Sequence, residues 1–235
     1  MPSGSRALAF PRPRASFDPQ GWRLSGRLVS KPLIAVLDYG IGNLRSAQKS
    51  LDRMGADARL TADAGLIAEA AGVVLPGVGA FGPCMAALRH AGLDEQARIA
   101  AADGRPFLGI CIGLQLLYEG SEEAPGVAGL GILPGTVRLL SGNVKRPQMQ
   151  WNRLEVRTPS PLLEGLEDAW VYFVHSFAAP MAGNVAAVCD YGGPVAAAIA
   201  DDNVWATQFH PEKSARPGLR LLENFVNCAR AAADA

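Results

Sequence analysis

The chain has 235 residues, of which 49% are hydrophobic, and its formal net charge is zero. This length suits one large domain or two small ones, and the apolar content is ample for a packed core, which argues against a disordered protein. The balanced charge gives no sign of a nucleic-acid or anionic-membrane partner, and no run of 18 apolar residues predicts a membrane span.

The four cysteines lie far apart and lack C-x-x-C spacing: Cys84, Cys111, Cys189 and Cys228. In a chain without a secretory signal, this pattern predicts reduced thiols rather than a disulfide framework or a zinc site. We therefore expect a cytoplasmic protein with no metal and no cofactor.

Residues 1–30 differ in composition from the rest of the chain. They carry several arginines, prolines and glycines, no lysine, and a single acidic residue, Asp18. No apolar stretch of signal-peptide length is present, so secretion is not indicated. We expect a disordered tail or an over-extended start of translation, with a presequence as the alternative, and assign it no function.

From residue 33 onward, short apolar runs alternate with helical patterns. Leu33–Tyr39 is a continuous apolar run, as expected for a strand that is covered on both faces. The predicted elements that follow are a helix at Asn43–Met54, a strand at Ala58–Leu60, a helix at Ala64–Ala70, a strand at Gly72–Leu75, and helices at Gly82–His90 and Leu93–Ala102. This alternation predicts a parallel sheet with helices on both faces and chemistry at the carboxyl ends of the strands.

Cys111 lies between a predicted buried strand, Phe107–Ile110, and a predicted helix, Leu114–Tyr118. Glycine stands two residues before it and two after it, which is the cysteine form of the nucleophile elbow. The start of the helix favours a thiolate, and the first amide after the cysteine, on Ile112, is expected to point toward a reacting carbonyl. The alternative is a buried cysteine that only packs between its glycines.

A glycine-rich loop, Pro76-Gly77-Val78-Gly79, follows another predicted strand. Such loops can aim N–H groups at an anion. The loop lacks G-x-G-x-x-G and the P-loop lysine, so nucleotide binding is not favoured. An N–H group of Val78 or Gly79 would complete an oxyanion hole with the Ile112 amide; the alternative is an ordinary tight turn.

The second half of the chain has a different pattern. A loop rich in Gly, Ala and Pro is expected from Glu122 to Pro134. The predicted strands after it are Thr136–Leu140, Asn152–Arg157, Ala169–Val174, Val185–Cys189, Val195–Ile199 and Val204–Thr207. We expect them to form an antiparallel extension of the same sheet, closed by an amphipathic helix, Leu219–Ala229.

A thiol nucleophile needs a base, and the chain has only three histidines. His90 lies near a helix end, where it suits the helix dipole, and His175 follows a strand. His210 is the best candidate, because an extended His-x-Glu places the side chain of Glu212 on the same side of the backbone. The carboxylate can then bind one ring nitrogen while the other faces the sulfur. The alternative is a surface turn.

Four motifs, in this order and spacing, resemble those of class I (triad) glutamine amidotransferases. They are Pro-Gly-Val-Gly-Ala-Phe, Gly-Ile-Cys-Ile-Gly-Leu-Gln-Leu-Leu, Tyr-Phe-Val-His-Ser and Gln-Phe-His-Pro-Glu-Lys-Ser. Together with the opening Leu-Asp-Tyr-Gly-Ile-Gly-Asn-Leu-Arg-Ser, they are more closely similar to the family of glutaminase subunits of imidazole glycerol phosphate synthase, from histidine biosynthesis. The resemblance implies one amidotransferase domain over residues 31–235, with a flavodoxin-like, mostly parallel α/β sheet, flanking helices and an antiparallel extension.

The resemblance also implies roles for the site residues. Cys111 would attack the side-chain amide of glutamine, His210 would carry a proton to departing ammonia, and Glu212 would orient His210. The resulting thioester would be hydrolysed to glutamate. Gln115 resembles the residue that helps to hold the substrate, its alternative being a solvated helix side chain. The Ser176–Phe177 segment resembles the one whose backbone touches the amino-acid end of the substrate.

The family further implies a partner, a separate cyclase subunit with a (β/α)₈ barrel. The two would form a heterodimer in which ammonia crosses the barrel, and the complex makes imidazole glycerol phosphate and aminoimidazole carboxamide ribotide. The positions that resemble the docking face are Trp151, Asn152, Tyr172 and Lys213. Trp151 could instead be a core aromatic residue.

This chain departs from the family's pattern at the docking face. Family members commonly have Pro-His-Met-Gly-Trp-Asn, whereas this chain has Pro-Gln-Met-Gln-Trp-Asn. Gln148 replaces one side chain by another, but Gln150 replaces a glycine and would be strained if that position needs a positive φ. Two rival functions stay open: another triad glutaminase, such as the one that feeds pyridoxal phosphate synthesis, and a decayed glutaminase kept as a scaffold.

Overall fold

The computed structural model describes residues 31–234, so the predicted tail at residues 1–30 lies outside the described part of the chain. The strands in this range are β1 Leu33–Leu37, β2 Asp57–Thr61, β3 Gly72–Gly77, β4 Phe107–Cys111, β5 Gly120–Ser121, β6 Thr136–Leu139, β7 Gln148–Arg153, β8 Glu155–Val156, β9 Trp170–His175, β10 Phe177–Ala178, β11 Val185–Asp190, β12 Pro194–Asp201 and β13 Val204–Thr207. The α-helices are α1 Leu44–Arg53, α2 Ala64–Glu69, α3 Phe81–His90, α4 Leu93–Ala102, α5 Ile112–Leu116 and α6 Ala215–Ala233. Short 3₁₀ turns occupy Pro161–Leu163 and Pro211–Lys213.

The main sheet has eight strands in the order β2-β1-β3-β4-β13-β12-β11-β8. The first five are parallel, and the last three extend the sheet in antiparallel fashion. The order of the parallel part is that of flavodoxin-like, doubly wound folds. The predicted fold class is therefore confirmed.

The strands of this sheet are apolar because both of their faces are covered. Along β1, Ala35 and Leu37 pack into the core on one side of the sheet, whereas Ile34 and Val36 pack into the core on the other side. Successive side chains of a strand point to opposite faces, so a continuous apolar run is what a doubly covered strand needs.

The expectation that all later strands run antiparallel was wrong for β13. This strand lies parallel to β4, with Thr207 opposite Ile110, and its other edge pairs with antiparallel β12. Every residue of β13 is buried. A short apolar run of this kind fits either direction, because the direction depends on the partner strand and not on the local pattern.

The predicted strand at Asn152–Arg157 was also wrong, because the structure divides this region between two sheets. Residues Gln148–Arg153 pair with β9 in a separate two-stranded sheet. After the fully buried Leu154, Glu155 and Val156 pair with β11 in the main sheet. A third sheet, β10-β6-β5, was not predicted as a separate unit.

Most predicted helices match, with shifted ends. Helix α5 starts at Ile112, directly after the cysteine, and α6 starts at Ala215, four residues before the predicted Leu219. The buried residues of α6 include Leu222, Phe225 and Val226, as its apolar spacing predicts. None of the helices between residues 31 and 234 combines the length and apolar character that a membrane-spanning segment needs.

Candidate active site

Cys111 occupies the sharp turn that the glycine spacing predicts. It ends β4, precedes α5, and has φ 55° and ψ −107°. A positive φ is strained for a residue with a Cβ, by about 1–3 kcal/mol, and such strain concentrates at functional sites. Helix α5 packs directly on β3 after this turn. This close approach requires a glycine at position 113, because a Cβ there would overlap the Leu75 backbone carbonyl.

His210 and Glu212 form a buried pair. The Nδ1–H of His210 donates to Oε1 of Glu212 at 2.9 Å, and both side chains are almost fully buried. The extended His-x-Glu geometry that we predicted is wrong in detail, since Pro211–Lys213 form a 3₁₀ turn. The turn still brings the carboxylate to the ring. Two further bonds fix the backbone here, because the His210 amide donates to Tyr172 O and Ser214 Oγ donates to His210 O.

The His210 ring also meets the nucleophile. Burial lowers the pKa of His210, but hydrogen bonds with Cys111 and Glu212, together with the charges of both, outweigh it and raise the pKa to about 9. Because Nδ1 is engaged with Glu212, the contact with Cys111 is made on the Nε2 side. A thiol, an imidazole and a carboxylate therefore lie in series.

We expect the ring of His210 to titrate near pH 9 in an NMR pH titration, and Glu212→Gln to lower that pKa. The free histidine value is about 6.5, so the raised pKa contributes stability that is present below about pH 6.5 and lost as the pH rises through about 9. With only three histidines in the chain, His210→Asn assigns the signal. Titration of the wild-type ring near 6.5 would contradict the pair.

The glycine-rich loop lies beside Cys111, because Gly77 is opposite Cys111 in the β3–β4 ladder. Two buried side chains hold its carbonyl groups: Tyr39 Oη donates to Pro76 O at 2.8 Å, and Cys84 Sγ donates to Val78 O at 3.5 Å. Gly79 has φ 109°, a conformation that few other residues adopt. The Val78 carbonyl and the Gly79 N–H point in opposite directions across a trans peptide, so Gly79 N–H is directed away from Cys84.

A cavity of about 600 Å³ opens over Cys111. Every predicted substrate-side residue lines it, namely Val78, Gly79, Ile112, Gln115, Ser176 and Phe177, together with His210 and Lys213. Glu212 is not among the lining residues; it supports His210 from behind. The structure thus brings the segments that the sequence singled out around one cavity.

Gln115 is buried, so the alternative of a solvated helix side chain was wrong. Its Nε2 donates to Phe177 O at 3.0 Å and to Gln208 Oε1 at 3.1 Å. Gln208 in turn approaches the nucleophile, with 3.8 Å between its Nε2 and Cys111 Sγ. Our sequence analysis missed Gln208, and its position two residues before His210 was the available signal.

Two further cavity residues received no role from the sequence. Among residues 31–234, Glu123 is the only acidic residue that lines this cavity, and its Oε2 accepts from the Phe81 amide at 2.7 Å. His175 donates from Nδ1 to Phe177 O at 2.8 Å, which leaves its buried Nε2 unprotonated and without a partner in the described part of the chain. Burial lowers the pKa of His175, and the charge of His210 lowers it further, to about 4. This ring therefore stays neutral near pH 7.

The predicted docking residues Trp151, Asn152 and Tyr172 lie on the two-stranded β7–β9 sheet. Its outer face is apolar and exposed: Met149 is 62%, Trp151 45% and Trp170 57% exposed. The core alternative for Trp151 was therefore wrong. Its ring packs beside that of Tyr172, with 6.1 Å between the centroids. The Asn152 side chain is engaged within the chain, since Nδ2 donates to Asp190 O at 2.8 Å.

The two departures from the family's pattern have different surroundings. Gln150 is not among the residues with positive φ in the described range, and it pairs with Phe173 as an ordinary strand residue. The strain that we considered for Gln150 is therefore absent. Gln148 is fully buried; its Nε2 lies 3.7 Å from Cys189 Sγ, and its Oε1 has no partner among residues 31–234.

The fold and the site define a class of proteins, the class I glutamine amidotransferases. The family model described as glutamine amidotransferase class-I matches residues 35–228. Among solved structures, a crystal structure of a glutamine amidotransferase superposes with a TM-score of 0.67 at 22% identity, over 83% of this chain and 98% of that chain. PurLQS from Thermotoga maritima gives 0.67 at 22% identity, over 84% and 99%. At this identity, these two show the fold alone.

Curated relatives are more specific. Imidazole glycerol phosphate synthase subunit HisH of Methanothermobacter thermautotrophicus is 52% identical over 85% of this chain and 100% of that protein. The same subunit of Synechococcus elongatus is 51% identical over 87% and 97%, and that of Deinococcus radiodurans is 49% identical over 83% and 93%. The chain belongs to this family of HisH subunits within the class I glutamine amidotransferases.

Proposed function

We propose that this chain is the glutaminase subunit of an imidazole glycerol phosphate synthase, and that residues 31–235 form its amidotransferase domain. The observation that supports this best is the series Cys111, His210 and Glu212, which opens into one cavity at the carboxyl ends of the parallel strands. Glutamine is the substrate, and water converts it to glutamate and ammonia. The reaction would take place in the cytoplasm, as part of histidine biosynthesis.

The chemistry follows from the two nitrogen atoms of the His210 ring, which contact different partners. The Cys111 thiolate attacks the amide carbon of glutamine, and the imidazolium, held by Glu212 at Nδ1, gives a proton from Nε2 to the leaving nitrogen. Ammonia departs and a thioester to Cys111 remains. The neutral ring then takes a proton from water, which attacks the thioester and releases glutamate and the thiolate. The amide of Ile112 and an N–H group of Val78 or Gly79 stabilise the oxyanion in both steps.

The substrate's amino-acid end needs partners of both charges. Glu123 is placed to attract the α-ammonium group, since no other acidic residue lines the cavity in the described chain. In the Ser176–Phe177 segment, both carbonyl oxygens already accept hydrogen bonds. Ser176 O accepts from the Leu140 amide, and Phe177 O accepts from Gln115 and His175. That segment would therefore bind the α-carboxylate through N–H groups.

Ammonia would pass to a cyclase subunit with a (β/α)₈ barrel, docked on the exposed face of the β7–β9 sheet. Two observations favour this face. It carries exposed aromatic residues together with Arg153, which pairs with Trp170, and these residue types are enriched at interfaces. It also adjoins the cavity, because Val174 and Lys213 both line the cavity and Val174 pairs with Met149 of the β7–β9 sheet. A partner seated there would cover the route by which ammonia leaves.

We expect Trp151→Ala to weaken cyclase binding by about 30-fold, or about 2 kcal/mol, because central aromatic residues dominate interface energies. Isothermal titration calorimetry of the two subunits measures this. The control is Ile99→Ala on α4, which removes a side chain that is similarly exposed, at 49%, but lies outside the β7–β9 sheet. Equal losses in the two variants would argue against this docking face.

Complementation tests the function itself. Expression of this chain should restore growth without histidine to a strain that lacks the glutaminase subunit, under limiting ammonium, and Cys111→Ala should not. Rescue of a pyridoxal auxotroph instead would indicate the rival triad glutaminase. If the wild-type chain rescued neither strain and released no glutamate with a cyclase, the scaffold alternative would hold.

We also propose that the glutaminase is gated by the partner. An isolated glutaminase that hydrolysed glutamine freely would waste it. The Pro76–Gly79 loop must present an inward N–H to complete the oxyanion hole. Its carbonyl groups are held by Tyr39 and Cys84, so its peptide planes have a defined resting orientation. Cyclase that carries its ligand would turn the loop into the productive orientation.

A further inference from the structure

We propose that Gln208 is a further functional residue of the site, whose amide donates a hydrogen bond to the Cys111 sulfur and stabilises the thiolate. The inference rests on the proposed function, in which this sulfur is the nucleophile. Gln208 is fully buried, follows β13 and precedes His210. Its side chain lies between two groups of the site, Gln115 on one side and Cys111 on the other.

The orientation of both amides is determined by a backbone carbonyl. Phe177 O can only accept hydrogen bonds, so the end of the Gln115 side chain that lies 3.0 Å from it must be the nitrogen. That same nitrogen lies 3.1 Å from Gln208, so the near end of Gln208 must be its oxygen. The NH₂ group of Gln208 then faces the sulfur. The Phe177 carbonyl thus sets the orientation of both side-chain amides.

A donor that faces sulfur favours the charged form of the nucleophile. Hydrogen bonds to ionised groups are stronger than those between neutral groups, so the Gln208 contact is worth more to the thiolate than to the thiol. His210 lies near the same sulfur. Gln208 and His210, which belong to one segment of the chain, therefore both contact it. Gln115 orients Gln208 and thus acts on the sulfur through it.

The experiment measures the rate at which iodoacetamide alkylates Cys111 as a function of pH, by mass spectrometry of the Cys111 peptide. We expect Gln208→Glu to move the midpoint of this profile upward by about one pH unit or more, since the donor becomes an acceptor beside the sulfur. Gln208→Met keeps the volume, removes the donor and avoids burying a charge; it should move the midpoint in the same direction. In complex with ligand-loaded cyclase, both should lower kcat by about 10-fold or more with a smaller change in KM.

Asn224→Leu is the control for a buried amide without a role at the site. Its Nδ2 donates to Leu162 O and Glu164 O, so its loss should lower the unfolding midpoint and leave the alkylation profile unchanged. A profile that stays at the wild-type midpoint in both Gln208 variants would overturn the inference. Alkylation needs no glutamine, so the two proposals can fail separately. If the Gln208 variants shift the midpoint but the wild-type chain shows no glutaminase activity, the inference about Gln208 stands and the proposed function fails.

Discussion

Replacing Cys111 with alanine should abolish glutamine hydrolysis by the complex with its cyclase, while synthesis from ammonium continues. The expected loss is about 10⁴-fold or more, because removal of the nucleophile leaves only binding and the oxyanion donors. Ammonium-dependent synthesis should survive, since the cyclase then receives ammonia from solution. The two rates are measured on one preparation, as glutamate release and as formation of imidazole glycerol phosphate.

The matched control is Cys228→Ala, which removes a thiol from α6. Unlike Cys111, Cys228 does not line the cavity, so both rates should stay at wild-type values. Glutamate release that persisted in Cys111→Ala would reject the assignment of the nucleophile. Loss of both rates in Cys111→Ala would instead point to a damaged complex, which sedimentation of the two subunits would detect.

Adding ligand-loaded cyclase should raise the glutaminase rate about 10²- to 10³-fold over the isolated chain, the effect of gaining one oxyanion-hole donor. That factor corresponds to about 3–4 kcal/mol of transition-state stabilisation. Glutamate release is followed for the chain alone, with free cyclase, and with cyclase that carries imidazole glycerol phosphate as its ligand. Equal rates in the three mixtures would reject gating.

Trp151→Ala provides the control for binding as opposed to activation. It should raise the cyclase concentration that gives half-maximal activation, because it weakens docking, and leave the saturated rate unchanged. A lowered saturated rate in this variant would mean that the β7–β9 sheet takes part in the loop movement and not in docking alone.

Local patterns were sufficient to predict the parts of the site. The two glycines around Cys111 predicted the strained turn, and the spacing between His210 and Glu212 predicted their hydrogen bond, since only one residue separates the groups involved. The apolar runs predicted most strands, because a strand that is buried on both faces needs an apolar residue at each position. What the local pattern could not supply was the partner of each strand.

The β7–β8 region and Gln208 show where sequence reasoning stopped. The chain leaves one sheet at Arg153 and enters another at Glu155, a change that follows from the burial of Leu154 against distant residues. Gln208 gains its meaning from Gln115 and Cys111, which are close in space but far along the chain. Neither feature has a periodicity that a sequence window could detect.

The sequence by itself thus predicted the fold class, the nucleophile turn and the ring with its carboxylate, but it left open whether Trp151 is exposed or part of the core. Only the tertiary structure decided that the turn and the ring meet. Strand β13 lies parallel to β4 with Thr207 opposite Ile110, so Cys111 at the end of β4 and Gln208–His210 after β13 lie side by side at one edge of the sheet. The physical reason is that strand pairing and register are set by hydrogen bonds and packing between distant segments, which no single segment encodes.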